Sequence, residues 1–179
     1  CDALEFDIGT HFDQENSLYI IANLPYNVAT PLLIGWLKQA PYISGMSLMF
    51  QKEVADRIVA KTGDKHYGRL AILSNYLCQT RILMTLPASA FTPPPKVKSA
   101  VVQLIPRQDV TERLKLIPIL ETLTAQAFNQ RRKMLRSSLK SILSNYPDAL
   151  TECEIKETAR AEELSVADFV RLANYLDNH

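Results

Sequence analysis

Asn23-Leu24-Pro25-Tyr26 has the residue types needed to hold and activate a poorly nucleophilic amine. An exocyclic amine on a nucleobase reacts badly because its lone pair is delocalised into the ring. Two acceptors aimed at its hydrogens, an Asn side-chain oxygen and a backbone carbonyl, favour a pyramidal nitrogen with an available lone pair. They also stabilise the positive charge that grows when the nitrogen is alkylated. The proline fixes the backbone so that the preceding carbonyl points outward. The tyrosine offers a ring face for stacking, worth ~1–3 kcal/mol per base. The same four residues also suit an ordinary turn with a structural proline and a half-buried tyrosine.

Two further strings complement the first. Phe91-Thr92-Pro93-Pro94-Pro95 is a rigid proline loop holding an aromatic. It could close the second side of a base, because enzymes that act on bases clamp them between aromatic or apolar side chains. Its bland alternative is a hairpin connection with Phe91 in the core. Arg131, Arg132, Lys133, Arg136 and Lys140 lie between Phe128 and Lys140 with no acid among them. From Asp148 to Asp177 eight acids face three cations. The net charge of +1 therefore conceals a basic patch, the footprint of phosphate contact, although a cationic helix face is often simply solvated. Asp2 could accept the exocyclic amine of a cofactor's adenine. His11, His66 and His179 have no ligand spacing, and Lys52, Glu53, Asp56 and Arg57 read as the wet side of a helix.

The elements that must position these residues follow from pattern. Residues 18–22 form an apolar run that reads as a buried strand of a parallel sheet. Thr30-Pro31 predicts a helix start, with a capping hydroxyl and a proline at the first helical position. Residues 45–50 read as a second strand and 51–61 as a helix with Val54, Ile58 and Val59 inward. A helix begins near residue 70, and residues 79–86 and 97–105 read as strands around the proline loop. The order suggests one end of an α/β sheet with an antiparallel hairpin at its edge. Past Pro106 no strand pattern remains. Leu116, Leu120, Leu123 and Ala127 make one helical stripe, with a break at Asn129. Leu135, Leu139, Ile142 and Leu143 make another stripe. Ser165 and Asp168 fit a capping box before a final helix. The expected domains are residues 1–106, α/β, and residues 107–179, helical.

Composition sets the bounds. Hydrophobic residues at 47% and charged residues at 22% suit a globular protein. Three scattered cysteines argue against a disulfide framework or a zinc site and suit a reducing compartment such as the cytoplasm. No metal is expected, and no apolar run reaches the ~20 residues of a membrane span.

Taken in order, the strings resemble the small-subunit rRNA adenine dimethyltransferase family (KsgA type). They are Asp2-Ala3-Leu4, Asn23-Leu24-Pro25-Tyr26-Asn27, Gln51-Lys52-Glu53-Val54, Tyr67-Gly68-Arg69-Leu70, Phe91 to Val102, and Ala127-Phe128-Asn129-Gln130-Arg131-Arg132-Lys133. The resemblance implies part of a Rossmann-like, S-adenosylmethionine-dependent class I methyltransferase sheet, followed by a helical RNA-contacting domain. It implies methylation of the N6 amines of two adjacent adenines near the 3′ end of small-subunit rRNA, within a pre-30S-type particle. On the matching positions Asp2 would bind the cofactor adenine and Asn23 would lie between cofactor and amine. Leu24 would offer its carbonyl, while Tyr26 and Phe91 would sandwich the base. The family's Gly-rich cofactor loop precedes its Asp-Ala-Leu string, and the five glycines here form no such loop. The chain is therefore expected to be a C-terminal part, weak in cofactor binding and inactive alone. Its uncovered sheet edge would be prone to self-association. The alternatives are a non-catalytic rRNA-binding assembly module and a large-subunit rRNA adenine methyltransferase. The triple proline and the Asn-Gln-Arg-Arg-Lys string favour the small-subunit family.

Overall fold

The computed structural model describes residues 3–13 and 15–179. Asp2, with its expected cofactor role, lies outside the described residues. The chain divides into two compact units, Cys1–Val59 with Leu77–Leu114, and Ala60–Tyr76 with Lys115–His179.

The first unit is built on four strands: β1 (Leu18–Asn23), β2 (Ile43–Gln51), β3 (Cys78–Leu86) and β4 (Ser99–Pro106). Their order is β1-β2-β4-β3, with β1 parallel to β2 and the other pairs antiparallel. The hairpin at the edge is thus present, with β4 inside it. The crossover from β1 to β2 carries α1 (Ala29–Lys38), and α2 (Lys52–Val59) follows β2 directly. Strand alternation puts Met46, Leu48 and Phe50 of β2 in register with Leu104, Val102 and Ala100 of β4, and all six are fully buried. Helix α2 packs against β2, β3 and β4, inserting Ala55 and Ile58. Val54 and Val59, expected inward, are half-buried, because Ala55 takes the innermost place. The opposite side of α2 carries the i, i+4 ion pairs Lys52–Asp56 and Glu53–Arg57, as a solvated face should.

Two local expectations are corrected. Strand β1 is not buried on both faces: Tyr19 and Ile21 alternate outward, and Ile21 is 80% exposed. That face carries a hydrogen-bonded row in which Tyr19 joins Ser47 (2.9 Å), Gln103 donates to Tyr19 (3.3 Å) and Arg81 donates to Gln103 (2.8 Å). Such a row suits an open face rather than a dry core. Beneath it Gly45 has no room for a side chain, since a Cβ would stand 2.5 Å from the Tyr19 ring and 2.9 Å from Ile105. The second correction concerns Thr30, which does not cap α1. The helix already begins at Ala29 with Val28 in the cap position and no side-chain cap bond. Pro31, expected at the first helical position, stands third, within the first turn, where its missing N–H costs nothing.

The second unit is helical. It contains α3 (Arg69–Leu77) up to Tyr76, then α5 (Ile117–Asn129), α6 (Leu135–Ser138), α7 (Lys140–Leu143), α8 (Ala149–Glu152) and α9 (Val166–Asn178). The short α4 (Val110–Leu114) stays with the sheet. The expected boundary at residue 106 therefore falls after Leu114, and residues 60–76 join the helices. An aromatic cluster accounts for that membership. Fully buried Tyr67 meets Phe128 edge-on at 6.2 Å, and Phe128 tilts against Phe169 at 5.8 Å. Helix α5 ends at Asn129, where the break was expected, with Leu120, Leu123 and Ala127 buried beneath it. Ser165 and Asp168 form the capping box: Asp168 N–H donates to Ser165 Oγ (3.1 Å) and Ser165 N–H donates to Asp168 Oδ2 (2.8 Å). Burial pushes the Asp168 carboxyl up, but Ser165 and Arg171 outweigh it and hold the group below its ordinary value. Among the described residues no helix is long and apolar enough to cross a membrane, and no cluster of His, Cys, Asp or Glu could hold a metal.

Candidate functional site

The sheet unit brings the two strings of the expected base clamp together. Asn23, Leu24, Pro25, Tyr26, Phe91, Pro93 and Pro95 line one open cleft of about 220 Å³. Asn23 closes β1, so the cleft opens at the carboxyl end of the parallel pair, where open α/β sheets bind ligands. Leu24 is buried and anchors the turn, while Asn23 and Pro25 are exposed and Tyr26 and Phe91 are half-buried. The turn is closed by Val28 N–H donating to the Pro25 carbonyl at 3.1 Å. Among the described residues neither the Asn23 amide nor the Leu24 carbonyl has a hydrogen-bond partner. Both residues line a cleft whose other walls are apolar and aromatic. The walls are rings and prolines, so the cleft suits a flat heterocycle with an amino group.

Sequence reasoning overlooked one participant. Tyr26 Oη lies 2.8 Å from the Oγ of Ser99, a fully buried serine at the start of β4. A serine inside a predicted strand gives no signal of this kind.

The basic run lies in the helical unit, on the loop after α5 and on α6 and α7. Arg131, Arg132, Lys133, Arg136 and Lys140 are all exposed. They are not equivalent. The Arg131 guanidinium donates to the Tyr67 carbonyl (3.1 Å) and, more weakly, to the Lys65 carbonyl (3.4 Å) and Glu162 (3.5 Å). It ties the 60–67 loop to its own unit. Among the described residues the side chains of Arg132, Lys133, Arg136 and Lys140 have no such ties. Arg131→Ala is expected to lower stability by about 1–2 kcal/mol, a modest figure because the site is half exposed. Arg131→Lys should not fully restore it, since the lysine ammonium reaches less far than the guanidinium nitrogen that makes all three contacts. Thermal melting of both variants checks this, and an unchanged midpoint in Arg131→Ala would refute the tie.

Comparison with known proteins decides what kind of chain carries this cleft. The model of the ribosomal RNA adenine dimethylase family matches residues 1–178. The chain belongs to that family. The chain is 52% identical over 172 residues to the ribosomal RNA small subunit methyltransferase A of Gluconobacter oxydans (strain 621H), covering 96% of the chain and 55% of the relative. It is 49% identical over 176 residues to the protein of that name from Azorhizobium caulinodans, covering 97% and 60%. The chain thus spans little more than half the length of these curated relatives. Among solved structures, a dimethyladenosine transferase from Plasmodium falciparum superposes with a TM-score of 0.76 at 28% identity, over 89% of this chain and 66% of that one. A 23S rRNA methyltransferase, ErmE, superposes with a TM-score of 0.63 at 22% identity, over 96% and 70%, which shows likeness of fold. The α/β sheet is therefore that of a class I methyltransferase.

Proposed function

We propose that the protein carrying this chain transfers methyl groups to the N6 amines of two adjacent adenines near the 3′ end of small-subunit rRNA, as the pre-30S-type particle matures in the cytoplasm. One observation carries the reading. One cleft is lined by both Asn23-Leu24-Pro25-Tyr26 and Phe91, in a chain of the adenine dimethylase family.

Tyr26 and Phe91 would hold the adenine between their rings, fixing the plane of its amine. The Asn23 side-chain oxygen and the Leu24 carbonyl would each accept one N6–H. That arrangement turns the nitrogen lone pair out of the ring system and stabilises the cation formed on transfer. S-adenosylmethionine, when bound, supplies the electrophilic methyl group. On this chain Asn23 would face it, being exposed at the end of β1 with a free amide. Asp2, the other candidate, lies outside the described residues. The cleft is open rather than sealed, so a monomethylated amine could return to the same acceptors for a second transfer.

Methyl transfer from labelled S-adenosylmethionine to undermethylated small subunits, using the complete gene product, tests the proposal. Reverse-transcription stops at two adjacent adenines near the 3′ end are expected. Label confined to large-subunit rRNA, or no label, would overturn it.

A second reading applies to this chain taken alone: an rRNA-binding module of ribosome assembly. The free cations Arg132, Lys133, Arg136 and Lys140 support it, and it is compatible with catalysis by a longer protein. The outer edge of β1 has no neighbouring strand among the described residues, which supports association of the isolated chain with itself. Light scattering of the chain over a concentration series checks that association, and a constant monomer mass would refute it.

A further inference from the structure

We infer that Ser99 is a positioning residue of the base clamp, holding the Tyr26 ring in register with Phe91 through its hydroxyl. The inference rests on the proposed methyltransferase reading.

Ser99 is 0% exposed, and its side-chain oxygen has one partner among the described residues, Tyr26 Oη at 2.8 Å. A buried hydroxyl is costly unless it is bonded, so an apolar residue would suit packing better there. The serine itself is well fixed. It opens β4, which lies between β2 and β3, and it stands in register with Gln51 on one side and Leu86 on the other. The preceding carbonyl, that of Lys98, accepts the N–H of Lys52 at 2.9 Å.

Tyr26, by contrast, sits on a loop whose described internal backbone bond is the Val28–Pro25 turn. Among the described residues the Tyr26–Ser99 bond is the one hydrogen bond linking residues 23–28 to residues 87–99. Phe91 belongs to the latter segment. The bond therefore couples the two walls of the cleft and fixes where the Tyr26 ring stands relative to Phe91. It also engages the phenol with β4, and Tyr26 offers its ring face to the base. A positioning error of an ångström at a reacting centre costs up to ~10²-fold in rate.

The test is a double-mutant cycle in the complete gene product, reading kcat and KM for RNA separately, with the melting temperature of each variant. Ser99→Ala and Tyr26→Phe are each expected to lower kcat about tenfold, with KM for RNA unchanged. The double variant should be no slower than the slower single one, because both remove the same bond. Multiplying losses in the double variant, or a loss confined to KM, would overturn the inference. Should Ser99→Ala fail to fold, Tyr26→Phe, which keeps the ring, decides alone, and full activity in that variant would sink the idea. A wild-type protein that transfers no methyl to adenine overturns the underlying reading. One that transfers methyl but ignores both substitutions overturns the positioning role alone.

Discussion

Asn23→Ala in the complete protein lowers the rate of adenine methylation by about 10²–10³-fold and leaves RNA affinity and melting temperature unchanged, by analogy with loss of one preorganised group at a charge-developing centre. Stability should be spared because Asn23 is exposed at the end of β1 and its amide has no partner among the described residues. The rate should fall because the Leu24 carbonyl would then be the one acceptor left for an amine with two hydrogens. The lone pair would remain conjugated with the ring, and the growing positive charge would lose half its compensation. Single-turnover rates with undermethylated subunits measure the effect. A rate indistinguishable from wild type would remove Asn23 from the mechanism. Asn23→Asp gives a contrasting control, since a carboxylate retains the acceptor while losing the N–H donors.

Replacement of Arg132, Lys133, Arg136 and Lys140 together by alanine should weaken binding to small-subunit RNA and reduce its salt dependence. Each phosphate contact contributes ~0.7–0.9 to the slope of log K against log salt, so four lost contacts lower it by about 3. Arg131 is left out of this set because its guanidinium holds the Tyr67 carbonyl. Including it would mix loss of fold with loss of affinity. Binding titrations over a range of salt concentrations give the slope directly. If it does not change, these four cations are a solvated surface and RNA docks elsewhere. The effect should be nearly independent of RNA sequence, as phosphate contacts position rather than specify.

The two experiments probe different units of the chain. On the proposed function Asn23 would act on the chemical step in the sheet unit, whereas the cations would act on capture in the helical unit. Single-turnover rates at saturating RNA separate them: the quadruple variant should recover there, and Asn23→Ala should not.

Signals local in the chain were legible from sequence. The apolar run ending at Asn23, the helix break at Asn129 and the capping box of Ser165 and Asp168 all depend on residues within a few positions of one another. Periodicity, proline geometry and capping chemistry suffice for such features. The hairpin β3–β4 was legible for the same reason, as two strands around a proline loop. So too were the residue types of the clamp and the isolated cation run, because chemistry is read from side chains. The family strings gave these pieces their order.

Tertiary structure alone decided what those pieces do to one another. Phe91 meets the 23–26 turn because β4 inserts beside β2, a pairing that no local pattern encodes. Tyr26 finds Ser99 by the same route, and Arg131 bonds the Tyr67 carbonyl in a unit where Tyr67 meets Phe128. The membership of residues 60–76 in the helical unit follows from that aromatic cluster, whose members are distant in sequence. Strand β1 looked buried because its residues are apolar, yet its open face is set by which elements pack against the sheet. Side-chain type is local information, whereas partnership requires long-range contacts. The sequence therefore determined which residues could hold an adenine, and the fold determined that they line one cleft.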